Sequence, residues 1–398
     1  MDSSSTHQHR IRCDQSRTYL EETRIQNDLG QTFSLAELAD KTTSNPKLRR
    51  AEMMTALSGY SKWAESQDHA ALFITLTTPS RMHRCGASGA RNPNYDGISP
   101  AAAQQYLNEV WQRIRAQLSR EGIKFYGLRV AEPHHDGTPH WHLLIFVQGP
   151  HYKRFCEILQ HHALQDSPNE PGAAKHRLKI EPCDYSKGDP VGYMAKYISK
   201  NIDGFAVELD ELGQPMLDAN QRIKAWASIN RIRQFQFFGG PSFSIWRSLR
   251  KLTSPLHNEY EEIRQAADSG DYFTYIELMG GMNVPRSSRP IEIKTFSEDL
   301  DPVTGEILSE AGEELSDKVR RYLKMQDVLV PCSTMRWTVL PTPAAFVFQL
   351  EPFISPGGAR GDEGRLEQNR GDLGLVSITV RPDESKYLLP NQNQYDET

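Results

Sequence analysis

Two histidines one residue apart, His140 and His142 in HWHLLIFV, and two tyrosines four apart, Tyr193 and Tyr197 in GYMAKYISKN, are the residues of this chain best suited to chemistry. Along a strand, alternation puts His140 and His142 on one face with Leu144 and Phe146, and Trp141, Leu143, Ile145 and Val147 on the other. Two neutral imidazoles side by side make a metal cradle. On a helix, the spacing of Tyr193 and Tyr197 stacks the phenols one turn apart, and Lys196 and Lys200 repeat that spacing alongside them. Metal-binding histidines with paired tyrosines and lysines suit phosphodiester chemistry through a tyrosine nucleophile. A strand ending at Glu132 and returning through PHHDGTP, with the Asp136-Gly137 turn signal, would bring that carboxylate beside His140 and His142. One carboxylate and two imidazoles suffice for a divalent cation with positions left for phosphate oxygen and water. The turn residues His134 and His135 are read as solvated, and His161, His162 and His176 as surface residues.

The elements that must position these groups are visible in the pattern. ALFITLTT (71–78) reads as a strand by its β-branched and aromatic content, with Phe73, Thr75 and Thr77 on one face, where the threonines could line the metal site. Ser99 and Pro100 open a helix to Glu121 whose apolar face is Tyr106, Val110, Ile114 and Leu118. KFYGLRVAE and RLKIEPC read as further strands, HYKRFCEILQHHALQ as a helix, and 190–203 as the tyrosine helix. Upstream, residues 1 to about 20 lack periodicity and are expected to be poorly ordered. From Arg17 to about Ala64 the pattern is helical: a capping box at Ser34 and Glu37, then a second helix after Asn45-Pro46.

The chain has 398 residues, 38% of them hydrophobic, and a net charge of −5. No apolar run approaches the ~20 residues of a membrane helix, and MDSSSTHQHR has no signal-peptide core. Five scattered cysteines without a CxxC pair suit reduced thiols in a cytoplasmic protein. The overall charge conceals a local excess. Residues 222–251 contain no acid, while Arg231, Arg233, Arg247 and Arg250 alternate with Trp226, Phe235, Phe237, Phe238, Phe243 and Trp246. Cations for phosphates and rings for bases are what single-stranded nucleic-acid binding uses, although many of these rings must also be core. The Gly- and Asn-rich loop 79–99 adds Arg81, Arg84 and Arg91. Two short helices are expected after Ser254, then acidic turns and strand-like runs such as RWTVL and AFVFQL, then a disordered tail. No GxxxxGK[ST] loop is present, so nothing implies ATP hydrolysis.

FITLT, PHWHLLIF and YMAKYISKNID, in that order, resemble the HUH endonucleases that start rolling-circle replication. More closely, the chain resembles the phage replication gene A family, the two-tyrosine branch, through QTFSLAELADKTTSNPKLRRAEMM, TLTTPSRMH and RIRQFQFFGGPSFSIWRSLRKL, about residues 15–255. Members are often longer on the N-terminal side. The resemblance implies an α+β fold with an antiparallel sheet flanked by helices. The chain is read as an N-terminal helical extension (1–68), an endonuclease domain (69–253) with a basic and aromatic DNA-binding segment at 222–251, an accessory region (254–350) and a disordered tail (351–398), the resemblance adding nothing beyond about residue 290. The resemblance also implies that Glu132, His140 and His142 hold Mg²⁺ or Mn²⁺ and that Tyr193 or Tyr197 attacks phosphorus, aided by Lys196 and Lys200. Single-stranded DNA at a replication origin is the implied substrate, and Arg81, Arg231, Arg233, Arg247 and Arg250 are read from the basic stretches as its contacts. The implied setting is the bacterial host cytoplasm, with a host polymerase and helicase as partners and no membrane. The same chemistry would serve a relaxase or transposase, and a non-cleaving origin-binding protein would keep the fold.

Overall fold

A computed structural model describes residues 3–86, 88–204, 216–297, 319–326, 328–333, 335 and 337–340. The N-terminal segment is ordered, against expectation. Helix α1 (Ser3–Glu22) leads into strands β1 (Arg24–Asn27) and β2 (Thr32–Ser34), then helices α2 (Leu35–Asp40) and α3 (Pro46–Ser66). The hairpin interrupts what reads as continuous helix, because the Asn27 side chain accepts from the backbone N–H groups of Leu29 and Gln31 and closes the turn through Gly30. Helix α1 has almost no amphipathic pattern to read. It is held instead by packing on other helices, with the Arg17 guanidinium on Asp40 at 2.8 Å as an exposed tie. Ser34 and Glu37 form the expected capping box, and Asn45 caps α3 ahead of Pro46.

The central body follows as β3 (His69–Leu76), α4 (Pro100–Arg120), β4 (Phe125–Pro133), β5 (Pro139–Gln148), α5 (Tyr152–Ala163), α6 (Ala173–His176), β6 (Leu178–Pro182), α7 (Val191–Ile202), α8 (Met216–Ile229) and β7 (Phe235–Phe238). Five of these strands form one antiparallel sheet in the order β6-β3-β5-β4-β7. The fold is α+β, with helices on both faces of the sheet. Trp141, Leu143, Ile145 and Val147 pack with Leu72 and Ile74 against α4 and α5. The opposite face, with Phe73, Leu128, Val130, Leu144 and Phe146, packs against α3 and α7. Helix α1 lies against α8.

Beyond the sheet come α9 (Phe243–Leu249), α10 (Glu259–Ser269), α11 (Tyr272–Leu278), β8 (Glu292–Ser297), β9 (Val319–Met325), β10 (Val328–Pro331) and β11 (Trp337–Val339). The two helices expected after Ser254 are therefore α10 and α11. They join the core that α3 makes with the sheet, so residues on both sides of 69–253 share one interior. Closeness is extreme at Gly59 of α3, where a Cβ would lie 2.8 Å from the Cβ of Tyr272. Strands β8, β9 and β10 make a second antiparallel sheet, and β11 returns to pair with β1. AFVFQL, the acidic run after Ser297 and the tail from 351 lie outside the described residues. Among the described residues no helix is long and apolar enough to cross a membrane.

Candidate active site

The β4–β5 register sets Glu132 opposite His140 and Val130 opposite His142. Period-2 alternation then places Glu132, His140 and His142 on the α7 face of the sheet. Each offers one ligand atom, and the three atoms lie within 4.8 Å of one another. His142 presents Nε2 to Glu132 Oε2 at 3.9 Å, while its Nδ1 sits 3.2 Å from the hydroxyl of Thr75, the residue opposite it on β3. A fixed contact at one ring nitrogen orients the other as a ligand. Thr77, on the same strand face, is used otherwise: its hydroxyl donates to the carbonyls of His176 and Arg177.

The electrostatics suit cation binding. Burial first, then the neighbouring rings and Lys200, hold His140 well below the ordinary imidazole range. Burial and then Lys200 push His142 down to about 3. Both rings are therefore neutral near pH 7, the form in which imidazole donates a lone pair. His140 Nδ1 is buried with no hydrogen-bond partner among the described residues, a cost that a cation would remove. The donor set of one carboxylate and two imidazoles fits a divalent metal ion.

Helix α7 runs across this cluster. Tyr197 stacks on His142 with ring centroids 4.0 Å apart and planes at 29°. Phe73 is a common platform, 5.5 Å from Tyr197, 5.8 Å from Tyr193 and 5.8 Å from His142 between centroids. Tyr193, one turn earlier, is 46% exposed, and Lys196 is exposed beside it. Lys200 donates to Glu132 Oε2 at 3.3 Å. The helix is held at both ends by α3: Ser61 donates to Asp189 at 2.8 Å, whose carboxylate also accepts from Val191 N–H at the helix start, and Arg50 binds Asp203 at 2.9 Å.

Several residues that matter here carry no signature in the sequence. Asn201 donates from Nδ2 to Glu132 Oε1 and to the Tyr197 carbonyl, and its Oδ1 accepts from Gln234 at 3.1 Å. Its position one residue after Lys200, on the same helix as the tyrosines, is the one available signal. His134 is not a solvated turn residue. Its ring packs on His140 at 4.0 Å and is followed outward by His83 at 5.1 Å, which sits 3.3 Å from the buried carboxylate of Asp136.

The arginines of the sequence reading are dispersed. Arg81 is held between Asp96 at 2.5 Å and Asp166 at 2.8 Å. Arg247 binds Glu52, and Arg250 donates to the Ala267 carbonyl and lies over the Trp246 ring. Arg231 and Arg233 are exposed in the segment leading to Gln234. Trp226, Phe235 and Trp246 are buried, so those rings are core rather than free stacking planes.

Residues 3–205 match the family described as bacteriophage replication gene A protein (GPA). The chain is 39% identical over 342 residues to the replication protein of Haemophilus phage HP1, covering 84% of this chain and 43% of that protein. It is 37% identical over 294 residues to the replication gene A protein of Escherichia phage 186, covering 71% of this chain and 42% of the relative. Against a probable replication endonuclease from a prophage-like region of Salmonella typhimurium, identity is 37% over 279 residues, covering 65% and 35%. The chain thus spans less than half the length of these relatives. No solved structure matches it.

Proposed function

The chain belongs to the bacteriophage replication gene A protein family, and on that footing we propose that it nicks one DNA strand at a phage replication origin and so initiates rolling-circle replication. Relatives whose names include replication endonuclease support cleavage. The observation that carries the reading is the seating of Tyr197 on His142, with Glu132, His140 and Lys200 gathered at the same place. A divalent cation, Mg²⁺ or Mn²⁺, held by Glu132, His140 and His142 would polarise a phosphoryl oxygen and offset the charge that develops on it.

The rest is work for the chain's own side chains. The phenol oxygen of Tyr193 or Tyr197 attacks phosphorus. The P–Oη bond forms, the bond to the 3′ oxygen breaks, and that oxygen takes a proton to become a free 3′-OH. A phenol of ordinary pKa ~10 is a weak nucleophile at neutral pH, and the ammonium groups of Lys196 and Lys200 would offset the charge that builds on the phosphate in the transition state. The product is a 5′-phosphotyrosine link that conserves the phosphodiester energy, together with a primer for a host polymerase, with a host helicase opening the duplex in the host cytoplasm. With two phenols on one helix face, the second can cut a regenerated origin while the first still holds DNA, and the strand is then transferred and closed.

Incubation with single-stranded DNA tiled across the replicon's origin, with Mg²⁺ or Mn²⁺, followed by denaturing electrophoresis and peptide mapping, tests this. A DNA-shifted band that maps to the peptide containing Tyr193 and Tyr197 is the expected result. No adduct on any tile, from protein that binds the DNA, would overturn the cleavage reading.

A further inference from the structure

An open cavity of about 570 Å³ lies where α3 meets the segment between α8 and β7, and Arg49, Arg231, Arg233, Gln234 and Phe235 line it. The three arginines come from two stretches of chain some 180 positions apart and are all exposed. Among the described residues none of the three has a carboxylate within ion-pair distance. The nearby acids are engaged elsewhere: Glu52 binds Arg247 at 2.5 Å and Asp203 binds Arg50 at 2.9 Å. A fourth cation lies behind the cavity. Arg129 is 3% exposed, donates to the Arg233 carbonyl at 2.7 Å and packs over Trp141, and its Nε has no hydrogen-bond partner among the described residues. The field at this wall is therefore positive and weakly compensated.

The backbone supplies an independent observation. Helix α8 ends with Arg231 N–H on the Ser228 carbonyl and Ile232 N–H on the Ala227 carbonyl, the paired bonds of a Schellman motif. The residue at the left-handed position of that motif is usually glycine, yet here it is Arg231 at φ 52°. An arginine at a glycine position carries a backbone penalty that glycine would not, and among the described residues its side chain touches no acid. A hydrogen-bond relay ties the cavity wall to the cluster on β4 and β5. Gln234 on its wall donates to Asn201, which donates to Glu132.

We propose that this trough binds the sugar–phosphate backbone of single-stranded DNA next to the scissile phosphate, with Arg49 and Arg231 as its phosphate contacts. The inference rests on the nuclease reading above for the identity of its ligand. Guanidinium groups match phosphate oxygens bidentately, and a trough of arginines without acids reads charge rather than base identity.

The test is the salt dependence of binding to a short oligo-dT strand, followed by fluorescence anisotropy, for the parent, Arg49→Ala, Arg231→Gly and the double variant. Each lost phosphate contact should make the slope of log K against log salt shallower by ~0.7, and the double variant by ~1.4. Arg231→Gly restores the residue the helix end favours, so it should melt no lower than the parent, which separates lost contact from lost fold. Arg49→Lys should keep the parental slope. Slopes unchanged in both single variants, or a parent that fails to bind oligo-dT at low salt, would overturn the proposal. The parent's adduct formation on origin DNA is scored separately. Adducts with unchanged slopes would sink the trough alone, and shifted slopes without adducts would sink the cleavage reading alone.

Discussion

Tyr193→Phe with Tyr197→Phe removes two hydroxyl oxygens and leaves both rings on Phe73 and His142. The double variant is expected to lose all covalent attachment to DNA while still binding it. A persisting adduct in denaturing gels would exclude this pair as nucleophiles. Asn201 poses a different question, because it ties Glu132 to the backbone of Tyr197. Partners that orient a metal ligand typically contribute 10–100-fold in metal affinity, so Asn201→Ala should weaken Mn²⁺ binding by roughly that factor in calorimetry. Parental affinity in a variant of parental melting temperature would assign Asn201 to folding alone. The contrast between these residues explains what the sequence made legible. His140, His142 and the tyrosine pair follow from spacing within one strand and one helix, and Glu132 from one hairpin. Asn201 meets Glu132, and Gln234 meets Asn201, only after helix α7 and the segment entering β7 converge on β4, and no local pattern encodes that.

The β4–β5 hairpin depends on its turn. Asp136 Oδ1 accepts from Thr138 N–H at 3.0 Å, and Oδ2 lies 3.3 Å from His83 Nδ1. Burial acts to raise this carboxyl, and the His83 ring and Thr138 N–H outweigh it, holding it well below its ordinary 3.8. A carboxyl depressed in the folded state stabilises the fold above its unfolded pKa and loses that contribution as pH falls towards the folded value. Asp136→Ala should therefore cost about 1–3 kcal/mol near neutral pH. The gap between parent and variant in denaturant unfolding should close as pH drops below about 4. A gap independent of pH would show that the carboxylate charge is not what stabilises the turn. Elements with strong local grammar match their sequence: α4 behind Ser99 and Pro100, α3 behind Asn45, β5 by its alternation. The β1–β2 hairpin and α1 do not, since one arises from a side-chain-closed turn and the other from packing on α8.

At the scale of the molecule, one sheet separates two cores, and the site lies on the face that α3, α7, α10 and α11 share. The N-terminal hairpin has a smaller core of its own, where Trp337 of β11 packs on Phe33 with centroids 5.8 Å apart. Trp337→Ala should cost about 0.5–1.5 kcal/mol of aromatic pairing. It should raise amide exchange across Arg24–Asn27 while β3 and β5 keep parental protection. Unchanged exchange in β1 would mean that β11 adds nothing to its stability. The pairing also bears on synthesis. Asn27 of β1 donates to the Met335 sulfur, 308 positions further along. At ribosomal speeds that distance takes roughly 15–60 s to translate. Throughout that interval the outer edge of β1 lacks its partner, so a nascent chain exposes there a strand edge open to any passing polypeptide, and the window closes only when the last described strand emerges.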